Sequence, residues 1–131
     1  MFKSEFLNML KAVDALHLPQ GGYAITGSGP LVIRNVRAAH DVDVVVKQAL
    51  WHELCKKYTS YDEHHIKIGD LEIWGDFLNL TPRLDEVIDV AEMIDGYPFV
   101  SLQDTLRWKA FLNRPKDQAD ILVIKRLLNL V

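Results

Sequence analysis

The segment Asp41-Val42-Asp43-Val44-Val45-Val46 constrains this chain more than any other. Its β-branched run reads as a strand buried in a sheet. Yet it begins with two carboxylates spaced two apart, which alternation places on one face. Like charges held that close are costly unless water or a cation neutralises them. The strand is therefore expected to have a dry apolar layer on one side and a cleft on the other.

Around it, spacing and turn residues predict the other elements. Phe2, Phe6, Met9, Leu10, Val13 and Leu16 recur at helical intervals, with Ser4 as the N-cap, up to Gly21-Gly22. Tyr23 to Thr26 is a short strand running into Gly27-Ser28-Gly29, and Pro30 to Arg37 a short helix. Lys47 to Tyr58 is a helix whose apolar face carries Leu50, Trp51, Leu54, Cys55 and Tyr58, so Cys55 is expected in the core. His65–Ile68 and Leu71–Trp74 alternate around Gly69-Asp70 and predict a hairpin. Thr81-Pro82 opens a helix through Glu92, with Leu84, Val87, Ile88 and Ala91 inward.

A second hairpin is expected over residues 93–100 around Asp95-Gly96. Ser101 and Asp104 have the form of a capping box, with Asp in place of the usual Glu or Gln, for a helix to Asn113. Pro115 starts a last helix to Leu130, with Ile121, Leu122, Ile124, Leu127 and Leu128 as its apolar contacts. No repeat or linker interrupts residues 1–131. The expectation is one α+β domain, a mixed sheet with helices packed against it.

Net charge is −3, which excludes a strongly basic nucleic-acid coat. Its distribution is uneven: residues 1–60 carry +2, residues 61–104 carry −9 and residues 105–131 carry +4. Asp85, Glu86, Asp89 and Glu92 read as a solvated face. No run approaches the roughly 18 apolar residues of a membrane span. The N-terminus lacks a signal-peptide pattern, and the single Cys55 fits a reducing cytoplasm.

Two parts carry chemistry. Asp41 and Asp43 offer hard oxygen ligands of the kind Mg²⁺ takes. Upstream, the small-residue turn Gly27-Ser28-Gly29 between a strand and a helix can present backbone N–H groups to an anion, with the Ser28 hydroxyl beside them. The histidines His52, His64 and His65 lack the spacing of a zinc site. His40 reads as a loop residue, and Trp51, Trp74 and Trp108 as packing, with Trp74 the best candidate for more because it neighbours Glu72.

Ile25-Thr26-Gly27-Ser28, twelve further residues, then Asp41-Val42-Asp43-Val44 resembles the signature of the DNA polymerase β-like nucleotidyltransferase superfamily. The stretch Lys109 … Asn113-Arg114-Pro115-Lys116-Asp117 … Asp120-Ile121 is similar to the C-terminal helices of its small bacterial, abortive-infection-type members. The resemblance covers about residues 20–125. It implies that Gly27 and Ser28 hold a nucleoside triphosphate, and that Asp41 and Asp43 bind Mg²⁺, in all two ions, with a third carboxylate from a later strand. Glu72 fits that role best and Asp76 is the alternative. Glu72 could also accept the acceptor hydroxyl's proton.

Lys109 and Arg114 would offset phosphate charge, or Arg114, Lys116 and Asp117 would pin the interhelical turn. Arg37 would order its loop or meet a phosphate. The implied activity is transfer of NMP from an NTP to an unidentified hydroxyl on a protein, a tRNA or a small molecule. The alternative is a non-catalytic nucleotide-binding or partner-binding module, as in a toxin–antitoxin pair. A third class, nucleic-acid binding through the C-terminal basic segment, rests on a modest charge that Lys125 and Arg126 also supply for dipole reasons. The short chain leaves little room for a substrate domain, so a protein partner or a second copy is expected to contribute.

Overall fold

Strand pairing organises the molecule. A computed structural model describes residues 2–60, 62, 64–76 and 82–130. Among them lie strands β1 (Tyr23–Thr26), β2 (Val42–Val46), β3 (His65–Ile68), β4 (Leu71–Trp74), β5 (Glu92–Ile94) and β6 (Tyr97–Phe99). They form one sheet in the order β3-β4-β2-β1-β6-β5. Sequential neighbours β1–β2, β3–β4 and β5–β6 are antiparallel, whereas β1–β6 and β2–β4 are parallel. The sheet is therefore mixed and the class is α+β.

Seven helices complete the described chain: α1 (Lys3–Met9), α2 (Lys11–Asp14), α3 (Gly29–Val32), α4 (Gln48–Lys57), α5 (Leu84–Asp89), α6 (Leu102–Leu112) and α7 (Gln118–Leu127). None is long and apolar enough to cross a membrane.

Alternation along the strands sorts side chains onto two layers. Ile25, Val42, Val44, Val46, Leu71, Ile73 and Phe99 join Phe6, Leu10, Val13 and Leu54 in the larger core, under α1, α2 and α4. Ala24, Val45 and Val100 face the other way and meet Leu84, Val87 and Ile88 of α5, with Trp74 and Trp108 against them. A third cluster, Leu31, Leu102 and Ile124, fastens α3, α6 and α7 together. Asp43 and Glu72 belong by parity to the second face, beyond the apolar cover of α5.

The first hairpin has the expected limits, and the second forms around Asp95-Gly96 but runs from Glu92 to Phe99, one residue earlier than expected at each end. Asp95 and Gly96 take φ of 51° and 86°, the pair of positive values that a two-residue turn between twisted strands requires. Other expectations need correction. The N-terminal helix is two pieces divided at Leu10, and its N-cap is Phe2, without a side-chain cap, not Ser4. The helix expected over Pro30–Arg37 is one turn, ended where Asn35 adopts φ 62°.

The buried stripe of α4 is narrow. Leu54 is buried with Leu50 and Tyr58 packed beside the core, while Cys55 sits about 100° round the helix from Leu54 and is exposed. α5 ends at Asp89, and Glu92 belongs to a strand. Thr81 lies outside the described residues.

Ser101 does accept a bond from the Asp104 N–H, at 3.1 Å. The Asp104 carboxylate accepts from the Ser101 hydroxyl at 3.2 Å and from Arg107 at 2.9 Å rather than from the Ser101 backbone N–H, so only one half of the expected box forms. Pro115–Asp117 is a 3₁₀ turn before α7, which ends at Leu127. Leu122 and Leu127 are exposed there, since the helix buries only the stripe centred on Ile124.

Candidate active site

The end of the second sheet face opens into a cleft of about 570 Å³. Gly27, Ser28, Arg37, Asp41, Asp43 and Glu72 line it, together with Lys109 and Arg114. Residues from five separate parts of the sequence thus converge on one cavity. Asp76, the alternative to Glu72, also lines it, with its carboxylate 3.0 Å from His64 Nδ1.

Register places the acids. β2 begins at Val42, so Asp41 is an exposed residue just before the strand rather than within it. Asp43 pairs with Thr26 on one side and with Glu72 on the other. Asp41, Asp43 and Glu72 each offer an oxygen within 4.8 Å of the others. Asp76 is not part of that cluster.

Crowding shows in the protonation of these groups. Burial, then the charge of Asp41, pushes the Asp43 carboxyl up to about 7. Partial burial, then Glu72, raises Asp41 as well. Asp41 and Asp43 thus resist ionising together unless a cation joins them.

Gly27 adopts φ 63°, and a Cβ there would stand 2.5 Å from Asp43 Oδ2. Glycine is needed at this turn by the carboxylate across the sheet, before any phosphate is considered. Gly29 is likewise a packing requirement, since a Cβ would stand 2.6 Å from Ile25 Cγ2. Ser28 sits at the N-cap of α3 and makes no side-chain cap bond.

The opposite wall is cationic and cross-braced. Lys109 is 3% exposed, and its Nζ lies 3.0 Å from Asp120 Oδ2 and 3.8 Å from Asp117 Oδ1. Arg114 grips Asp117 with two donors, at 2.7 and 3.0 Å, and its backbone N–H bonds the same carboxylate. That fork holds the Asp117 carboxyl below the ordinary carboxylate value. Arg114 and Asp117 pin the interhelical turn, while Arg114 and Lys116 both line the cleft. Arg37 donates to the Ala38 carbonyl at 2.9 Å and pairs with Asp120. Arg37, Lys109 and Arg114 thus share two buried aspartates, and Lys116 also lines the cleft, so this wall is net positive.

Two further groups stand beside the acids: His65, which the sequence does not single out, and Trp74, which it does, though not for its N–H. His65 is buried, with Nδ1 3.0 Å from Asp62 Oδ2 and Nε2 3.8 Å from Glu72 Oε1. Trp74 donates its indole N–H to Asp43 Oδ1 at 3.1 Å. A usable signal was present for Trp74, two residues after Glu72 on a strand and hence on its face. The histidine pair His64-His65 carries no such sign, since only the pairing of β3 with β4 reveals which one faces the site.

No protein-family model matches the chain, and no curated protein matches it.

Proposed function

We propose that this chain is a Mg²⁺-dependent nucleotidyltransferase, moving NMP from an NTP to a hydroxyl acceptor, with a site like that of the DNA polymerase β-like superfamily. One observation carries the reading: Asp41, Asp43 and Glu72 gather within 4.8 Å in a cleft whose other wall bears Arg37, Lys109 and Arg114. Carboxylates for a cation facing guanidinium and ammonium groups for phosphates form a bipolar cavity suited to a metal–triphosphate.

The donor set fits Mg²⁺: all-oxygen, hard and anionic, with a mutual repulsion that a divalent ion relieves. Asp41, Asp43 and Glu72 would hold it, in two ions on the resemblance. When bound, the metal supplies charge stabilisation to the attacking and leaving oxygens of an in-line displacement. The protein's own groups do the rest. Gly27 and Ser28 border the path of the triphosphate, and the net cationic wall offsets its charge. Glu72, on the strand beside Asp43, is placed to accept the acceptor's proton. The lone thiol of Cys55 suits work in a reducing cytoplasm.

The test is transfer of label from α-labelled NTP, in Mg²⁺, to candidate proteins, tRNA and hydroxylated small molecules. Labelled acceptor with the native chain and none with Asp41→Asn supports the reading. Equal labelling by both defeats it. A second reading, a nucleotide-binding module acting through a partner, is favoured by one detail: Lys109 is already neutralised by Asp117 and Asp120. Nucleotide binding without transfer to any acceptor would select it.

A further inference from the structure

We propose that Trp74 is a positioning residue for the metal-binding carboxylate Asp43, acting through its indole N–H. This rests on the reading of Asp41, Asp43 and Glu72 as a metal site.

The geometry is that of a bracket. Asp43 Oδ1 accepts the Trp74 N–H at 3.1 Å, while Oδ2 lies against the turn at Gly27, where a side chain would meet it at 2.5 Å. One oxygen is held by a donor, and the other occupies the space that a side chain at residue 27 would fill. Trp74 is itself held. Its ring stacks on His65 with centroids 4.2 Å apart and planes 16° from parallel. His65 is its direct partner across the β3–β4 pair.

The backbone after Trp74 is fastened on both sides. Gly75 N–H donates to the His64 carbonyl at 3.0 Å, and the Gly75 carbonyl accepts from Gln48 Nε2 at 2.7 Å. Any Cβ on Gly75 would collide with the Trp51 ring, 2.3 Å away, so this stretch lies flush on α4. Along β4, Glu72 and Trp74 share a face, so one strand supplies both a fellow ligand and an orienting donor for Asp43. Groups that hydrogen-bond a metal's ligands set ligand orientation, and removing one commonly costs 10–100-fold in metal affinity.

Mn²⁺ binding by the full chain, followed by electron paramagnetic resonance, tests this without relying on turnover. Two variants are compared with the native chain. Trp74→Phe keeps an aromatic ring and deletes the donor. Replacement of Trp74 alone by benzothienylalanine keeps the bicyclic shape, with sulfur in place of N–H. Both are expected to weaken Mn²⁺ binding about 10-fold or more, with the melting temperature of the thienyl form in EDTA unchanged.

Native-like Mn²⁺ affinity in the thienyl form would overturn the proposal while leaving the metal site standing. Failure of the native chain to bind Mn²⁺ any better than Asp43→Asn would overturn the underlying reading, and the proposal with it.

Discussion

Gly27, the residue after Asp43's cross-strand partner Thr26, comes so close to Asp43 that a methyl group on residue 27 would stand 2.5 Å from Asp43 Oδ2. The motif glycine and the motif aspartate, sixteen positions apart, are one steric unit. Gly21 provides a control, with φ 84° and nothing within 4 Å of a Cβ. Gly21→Ala is expected to cost only the backbone strain, about 1–2 kcal/mol. Gly27→Ala should cost more, because the carboxylate must also move, and should weaken Mn²⁺ binding as Gly21→Ala does not. Thermal melts and metal titration of both variants check this.

The raised carboxyl of Asp43 has a consequence for stability. An acid whose value climbs from 3.8 to about 7 on folding keeps a proton that the unfolded chain has already released. Through that window the unfolded state binds fewer protons, so stability falls as pH rises. Metal-free protein should therefore melt at lower temperature toward the upper end of the window. Mg²⁺, which favours the charged form, should reverse the loss. A melting temperature in EDTA that climbs steadily through the window would contradict this.

Asp43→Asn separates function from folding. It removes a charge from a repelling trio while leaving an oxygen for the Trp74 N–H. Transfer activity is expected to fall on the order of 10³-fold, the scale of several kcal/mol of lost charge stabilisation. Its melting temperature above pH 7, without metal, should equal or exceed that of the native chain. Parallel activity and melting measurements decide the matter.

Lys109→Met would strand Asp117 and Asp120 in the protein interior with less compensation. Breaking a buried pair by deleting one partner costs roughly 3–5 kcal/mol. Arg37 and Arg114 remain, so the lower end is expected. Asp120→Asn in the same background should recover part of the loss, giving a coupling energy that denaturant titration of the double-mutant cycle would read.

Cys55 is exposed on α4. The native protein should react with a thiol reagent at one equivalent per chain without prior unfolding. Protection until denaturation would place that helix face inward instead.

Local signals carried most of the fold. Alternation and turn residues are short-range, so both hairpins were readable from residues 65–74 and 93–100. Helix ends were less so. The break at Leu10, the single turn of α3 and the outward position of Cys55 depend on what each helix packs against. The site divides similarly. Gly27, Ser28, Asp41 and Asp43 stand close in sequence and are joined by one antiparallel pair. Glu72 reaches them only through the parallel β2–β4 register, which no local pattern encodes. The sequence marks Trp74 through its neighbour Glu72, but its N–H matters only because Asp43 lies diagonally across the strands. Asp117 and Asp120 were part of a recognised pattern, yet their role as shared counter-ions to Lys109, Arg114 and Arg37 appears only when α6, α7 and the loop before β2 meet.

Asp120 receives Arg37 from the loop ahead of β2 and Lys109 from α6. During synthesis, Arg37 and the carboxylates Asp41, Asp43 and Glu72 all leave the ribosome well before residue 120. A nascent chain can therefore pair its sheet strands β2 and β4 while the cationic wall is still unmade. Docking of α7 is the step that completes the cationic wall opposite the acids, so the cleft takes its final charge pattern only with the arrival of this helix.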